Sequence, residues 1–133
     1  MKKAFKITLK QAKNLGKDIA TKLKGGEILA LVGPLGSGKT TFTKALAKSL
    51  KVKQPVLSPS FIIMQSFPVR LKNQKKAELF HLDLYRTKKF KETELLGLKE
   101  IWQTKNHITV IEWADKIRRH LPKNTFYFYF RHQ

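Results

Sequence analysis

Residues 28–50 read ILALVGPLGSGKTTFTKALAKSL: an apolar run, a glycine-rich turn closing on Lys39 and Thr40, then an amphipathic stretch. The order predicts a strand, a phosphate-binding loop and a helix. Gly33, Gly36 and Gly38 allow a tight turn whose backbone N–H groups face an oligophosphate, and the helix that follows directs its positive dipole end to the same place. With the spacing G-x-x-x-x-G-K-T, Lys39 is expected to reach the terminal phosphates and the Thr40 hydroxyl to ligate Mg2+. A glycine-rich turn alone is a weak sign. Its position between a strand-like and a helix-like run makes nucleotide binding the stronger reading.

Outward from that loop, the 133-residue chain is expected to form one domain over residues 1–133, large enough to bury roughly two-thirds of its unfolded surface. Phe5, Ile7 and Leu9 alternate with polar residues and predict an opening strand. From Gln11 to Lys24 the period changes, with Ala12, Leu15, Ile19 and Leu23 on one helical face, until Gly25 and Gly26 stop the helix. Phe42, Ala45, Leu46 and Leu50 form the inner face of the helix after the phosphate loop. FIIMQSF and AELFHLDLYR predict two strands joined by the polar LKNQKK, an antiparallel hairpin. A helix interrupted by Gly97, a buried strand at Ile108–Ile111 ending on Glu112, a short helix from Ala114 to His120 and the terminal strand TFYFYF complete the chain. The expected class is α/β: a three-layer P-loop NTPase-like domain, its central sheet mostly parallel with an antiparallel hairpin, helices on both faces.

A magnesium-nucleotide site also needs carboxylates at neighbouring strand ends. Glu112 ends the hydrophobic run ITVIE, the Walker B arrangement, and Asp83 lies in HLDLYR with Leu82 and Leu84 facing away from it. A strand-terminal acid that merely caps the next turn is the plain alternative for each. Which of the two holds the metal and which positions water stays open. His81 is a candidate to orient Asp83, and Arg86 to pair with Asp83 or reach a phosphate, against the simpler readings of a packing histidine and a surface ion pair. Trp102 and Trp113 read as core or interface aromatics, and Ser60 as a hydroxyl near the γ-phosphate or an ordinary turn serine.

The net charge of +19 suggests polyanionic partners such as RNA, although the 28 basic residues are spread along the chain and a lysine-rich solvated surface explains them equally well. The absence of cysteine excludes a disulfide scaffold and thiolate chemistry. No apolar run reaches the roughly 18 residues of a membrane span, and MKKAFKITLK lacks the long apolar stretch and cleavage site of a signal peptide. A soluble cytoplasmic protein without membrane contact is expected.

Taken together, GPLGSGKTT, SPSF, HLDLYR, ELLGLKE and VIEW stand in the order and approximate spacing of one family, and the chain resembles the bacterial tRNA threonylcarbamoyladenosine biosynthesis ATPase TsaE. The resemblance covers nearly the whole chain. It implies ATP and Mg2+ as cofactors, and TsaD-like and TsaB-like partners whose transferase turnover on tRNA is supported by ATP hydrolysis, slow alone and stimulated by those partners. tRNA itself would be met indirectly or through the basic surface. Carried over by position, the phosphates fall on Leu35, Gly36, Ser37, Gly38, Lys39 and Thr40, with Gly33 and Thr41 also counted in the nucleotide site, the metal on Thr40 and Glu112, and catalytic roles on Lys39, Asp83 and Glu112. SPSF becomes a switch-like loop in which Ser60 replaces the usual threonine, and the adenine falls near Leu9 and Lys10. Pro34 stands where the family often has an acid, and relatives usually continue past the position of Gln133 into another strand and an arginine-bearing turn.

Competing readings are a small P-loop kinase, disfavoured by the lack of an arginine-rich lid, and a GTPase, disfavoured by the lack of Asn-Lys-x-Asp. A third is an RNA-binding module whose nucleotide site is regulatory.

Overall fold

The computed structural model describes residues 2–56, 64–86, 91 and 97–132. At its centre is the predicted apolar run, strand β2 (Ile28–Val32), which is bonded in parallel to β5 (His107–Glu112) on one side and β6 (Phe126–Phe130) on the other. β1 (Lys2–Ile7) lies parallel outside β6. β4 (Lys76–Asp83) lies parallel outside β5, and β3 (Met64–Arg70) returns antiparallel to β4. The six-stranded order is β1-β6-β2-β5-β4-β3, so the mostly parallel sheet and its hairpin are as expected.

Alternation along the strands divides the core in two, because successive side chains leave opposite faces of a sheet. Leu29, Leu31, Ile108, Val110 and Phe128 pack on one face with α1 (Leu9–Ala20) and α2 (Lys39–Ser49). Ile28, Ala30, Ile111 and Tyr127 pack on the other with α3 (Leu98–Trp102) and the 3-10 helix Ala114–His120. That gives the three layers. Phe42 fixes α2 to β6: its fully buried ring lies 5.3 Å from the Phe128 centroid and 5.8 Å from that of Phe130, a burial of about 1.5–3 kcal/mol before the aromatic contacts are counted.

Among the described residues the hairpin runs past its expected bounds, β3 continuing through Pro68 to Arg70 as an edge strand tolerates, and β4 stops at Asp83; two boundaries of the first helix differ as well. Leu9 belongs to α1 and not to the opening strand, because Thr8 is the extended N-cap and its N–H donates to Gln11 Oε1 at 3.0 Å. The Thr8-x-x-Gln11 pattern was the readable signal, masked by the apolar alternation. The helix also ends at Ala20 rather than at Gly25, and the face it buries is Ala12, Gly16 and Ala20, with Leu15 and Ile19 only half-buried. Small residues win this face because α1 crosses α2 closely. The predicted inner face of α2 is as expected, with Phe42, Ala45, Leu46 and Leu50 buried and Lys44, Lys48 and Lys51 exposed. The SPSF segment, Ser60 and residues 92–96 of the interrupted helix lie outside the described residues.

Gly16 marks the crossing. A Cβ there would stand 2.6 Å from the Phe42 carbonyl oxygen and 3.0 Å from Ala45 Cβ. Replacing a mid-helix glycine by alanine ordinarily gains up to about 1 kcal/mol, but a clash with backbone costs about 1–3 kcal/mol. Gly16→Ala is therefore expected to lower the urea midpoint of unfolding; an unchanged or raised midpoint would show that the helices part without penalty.

Candidate functional site

The strand β2 delivers the chain into the loop at Gly33, and α2 begins at Lys39. Gly38, with φ 115°, makes the turn between them; a side chain there would be strained and would press on Ala12 and Leu9, 3.1 and 3.3 Å from its Cβ. The loop is braced from inside: Ser37 Oγ donates to the Pro34 carbonyl at 2.7 Å. Lys39 folds back over it, its ammonium donating to the Gly33 carbonyl and, at 2.8 Å, to that of Pro34. The same ammonium lies 4.1 Å from the centre of the Trp113 ring, a cation–π contact. Burial lowers the Lys39 pKa, and the charges of Glu112, Asp83 and Asp115 work in the opposite direction.

Parallel pairing of β4 with β5 sets Asp83 directly opposite Glu112. Residues opposite one another project from the same face, so both acids reach the start of α2. Glu112 is nearly inaccessible, and both its oxygens are engaged. Thr40 Oγ1 donates to Oε1 at 3.0 Å, and His81 Nε2 lies 2.7 Å from Oε2, where it serves as a donor. Thr43, whose hydroxyl donates to the Lys39 carbonyl at 3.0 Å, stands behind Oε2. Asp83 differs. Its Oδ1 accepts from the Tyr85 N–H at 3.0 Å, while Oδ2 is buried with no partner. Burial, followed by the neighbouring Glu112 charge, raises its pKa.

These groups surround a cavity of about 210 Å3, lined by Leu9, Leu35, Gly36, Gly38, Lys39, Thr40, Thr41, Asp83, Glu112 and Trp113. Most of the predicted site residues therefore meet. Gly33 and Ser37 do not line it; they support the loop from beneath. Lys10 is exposed on α1 and does not line it either, whereas Leu9, 51% exposed, does. His81 holds Glu112, not Asp83, which corrects the sequence reading: the two residues share a face of β4, but the nearer carboxylate is on β5. Arg86 is exposed. Trp113 packs against the core on the second face of the sheet, in keeping with its reading as a core or interface aromatic, and also forms a wall of the cavity, held at φ 60° immediately after β5. Only its place next to the strand-terminal acid hinted at this in the sequence.

The donor set fits a hard divalent cation. Thr40 Oγ1, Glu112 and the unpartnered Asp83 Oδ2 are oxygen donors of the kind Mg2+ takes, and the His81, Asp83 and Glu112 ligand atoms lie within 4.8 Å of one another. The His81 nitrogen is committed to Glu112, so the oxygens are the available ligands.

A parallel sheet whose central strand feeds a glycine-rich loop and lysine-started helix, beside two strand-terminal acids, defines a P-loop nucleotide-binding domain. The family can be given as well. The family model for threonylcarbamoyl adenosine biosynthesis protein TsaE matches residues 7–133, and the chain belongs to that family. The tRNA threonylcarbamoyladenosine biosynthesis protein TsaE of Aquifex aeolicus is 41% identical over 104 residues, 77% of this chain and 68% of the relative. That of Bacillus subtilis is 37% identical over 117 residues, covering 88% and 69%. The crystal structure of Bacillus subtilis YdiB superposes with a TM-score of 0.71 at 30% identity, over 94% of this chain and 72% of the other.

Asp83 supplies a stability test. A carboxyl whose folded pKa is raised favours folding below its unfolded pKa, and that contribution is lost as pH rises through the folded value. At neutral pH its buried charge opposes folding. Asp83→Asn is thus expected to raise the melting temperature at pH 7 by a few degrees and to narrow the gain toward pH 4. Equal melting temperatures at neutral pH would mean that Asp83 carries no strain of burial.

Proposed function

We propose that the protein is a Mg2+-dependent ATP hydrolase, slow alone, that supports turnover of a TsaD–TsaB-type complex forming threonylcarbamoyladenosine in tRNA. The reading takes residues 1–133 as one P-loop domain. The observation that carries it is the convergence of the Lys39 ammonium, the Thr40 hydroxyl and two buried carboxylates on one cavity at the end of β2. A structural role alone gives no reason to bury two acids side by side, since each such charge costs several kcal/mol unless compensated.

When bound, Mg2+ would supply charge neutralisation across the terminal phosphates. The rest is work for the chain's own side chains and backbone. Loop N–H groups from Gly36 to Thr40 hold phosphate oxygens, and Lys39 exchanges its bonds to the Gly33 and Pro34 carbonyls for bonds to the phosphate chain. Thr40 and Glu112 are the metal ligands in this reading. His81 keeps the Glu112 carboxylate from turning. Asp83 Oδ2, with no other partner, is the acceptor that orients the attacking water. Leu9 and Leu35 form an apolar lip against which the adenine lies, which suits ATP.

Lys39→Ala is expected to abolish tight ATP binding and lower partner-dependent tRNA modification by about 10²-fold or more. Asp83→Asn should keep nucleotide affinity but lose hydrolysis. Reconstitution with TsaD-like and TsaB-like proteins and tRNA measures both, and undiminished modification by Lys39→Ala would refute the reading.

A further inference from the structure

The sequence shows basic residues spread along the chain, but folding gathers many of them at one end of the sheet. The site occupies the C-terminal ends of β2, β4 and β5. Their N-terminal ends, and the loops that feed them, form the opposite pole, roughly 17–20 Å away along the strands. There a groove of about 620 Å3 carries the polar residues Lys51, Arg70, Lys76, Glu78, Asn106 and His107 around an apolar floor that includes Leu50 and Val69. Lys51, Arg70 and Lys76 are exposed.

The groove does not stop at those residues. The hairpin turn after Arg70 adds Lys72 and Lys75, and the Lys75 ammonium lies 3.1 Å from the point where a Cβ on Gly25 would stand. The Lys105 carbonyl lies 2.5 Å from that same point, so three loops meet there. On the far side of Gly25, the exposed Lys22 and Lys24 border a second cleft together with Asn73 of the hairpin turn. Two acids lie in this region: Glu27, whose carboxylate accepts from the Lys24 and Gly25 N–H groups, both at 2.8 Å, and the half-buried Glu78 of the groove. The cations of this pole, Lys22, Lys24, Lys51, Arg70, Lys72, Lys75 and Lys76, outnumber these two acids.

We propose that this basic pole binds the phosphodiester backbone of RNA. It is a surface separate from the nucleotide site and does not rest on the reading of that site. An extended row of cations over several loops matches a polyanion better than a single phosphate group. Lysine predominates, and lysine neutralises phosphates without reading bases, so contact along the backbone is expected rather than sequence recognition. The amide and imidazole groups of Asn73, Asn106 and His107, interspersed with the lysines, suit sugar hydroxyls. An anionic membrane is the poorer match. Among the described residues, the exposed large hydrophobic side chains are Leu9, Leu35 and Tyr85, and all three lie at the nucleotide pole; the apolar side chains of the second cleft, Leu23 and Phe126 among them, are recessed and do not project toward a bilayer as anchors do.

The test compares two triple variants that lose equal charge. One is Lys51→Gln, Arg70→Gln, Lys76→Gln at the basic pole; the other is Lys13→Gln, Lys17→Gln, Lys44→Gln on the outer faces of α1 and α2. Binding of an unmodified tRNA transcript is followed by fluorescence anisotropy over a salt series. The first triple is expected to weaken binding about tenfold or more at fixed salt and to reduce the slope of log affinity against log salt by about 2–3. The second should change both much less. Equal losses in the two triples would assign the effect to net charge and overturn the proposal, as would failure of the unsubstituted protein to bind tRNA at low salt. Retained ATP-analogue binding reports that each variant is folded. The single variants Lys51→Gln and Lys76→Gln, each expected to lower the slope by about 1, decide the matter if the triple is unstable. Lys39→Ala should leave tRNA binding intact, so a failed nucleotide site and a failed RNA surface give different results.

Discussion

The Glu112 carboxylate is almost wholly removed from water, and a charge in that position must be compensated from every side. Its partners come from two elements that converge on the end of β5: His81 of β4, and Thr40 at the start of α2. Removing one partner of such a buried pair commonly costs about 3–5 kcal/mol. The interaction therefore ties the phosphate loop to the sheet. It holds the first turn of α2 against the strand ends, and with it the Lys39 backbone, through Thr43.

Asp83 shows the other side of that constraint. It shares the register position of Glu112 on the neighbouring strand but receives only one backbone hydrogen bond, leaving Oδ2 buried and unpartnered. Two adjacent buried acids with unequal support are pushed apart in behaviour. The well-supported one is held rigid, and the poorly supported one retains a buried acceptor with no hydrogen-bond partner. The cost of keeping that acceptor falls on Asp83, while the hydrophobic layers above and below supply the stability that tolerates it.

Much of this was legible in the residues. The strand–loop–helix order around Gly33–Thr40, the hairpin, the β5 run ending on an acid and the two-sided burial of ILALV follow from periodicity and from glycine and proline positions. The misreadings had local causes. Leu9 continued an alternating pattern that the Thr8–Gln11 cap interrupts, and the α1 face was assigned to its large residues although helix crossing selects Ala12, Gly16 and Ala20. His81 could be put on the face of Asp83 by counting residues, but nothing along β4 revealed that a carboxylate on β5 would lie closer to its ring.

The sequence by itself determined the chemistry available: a loop able to bind phosphates, a lysine and a hydroxyl behind it, and acids at strand ends. These depend on residues near one another in the chain, where backbone geometry and side-chain spacing fix the outcome. Only the tertiary structure decided how the acids are placed, with Asp83 and Glu112 brought abreast by the β4–β5 register and Trp113 turned under the Lys39 ammonium. It also decided that lysines dispersed along the chain face a common groove opposite the phosphate loop. Strand order and register bring together residues far apart in sequence, and no local pattern encodes which side chains they will meet.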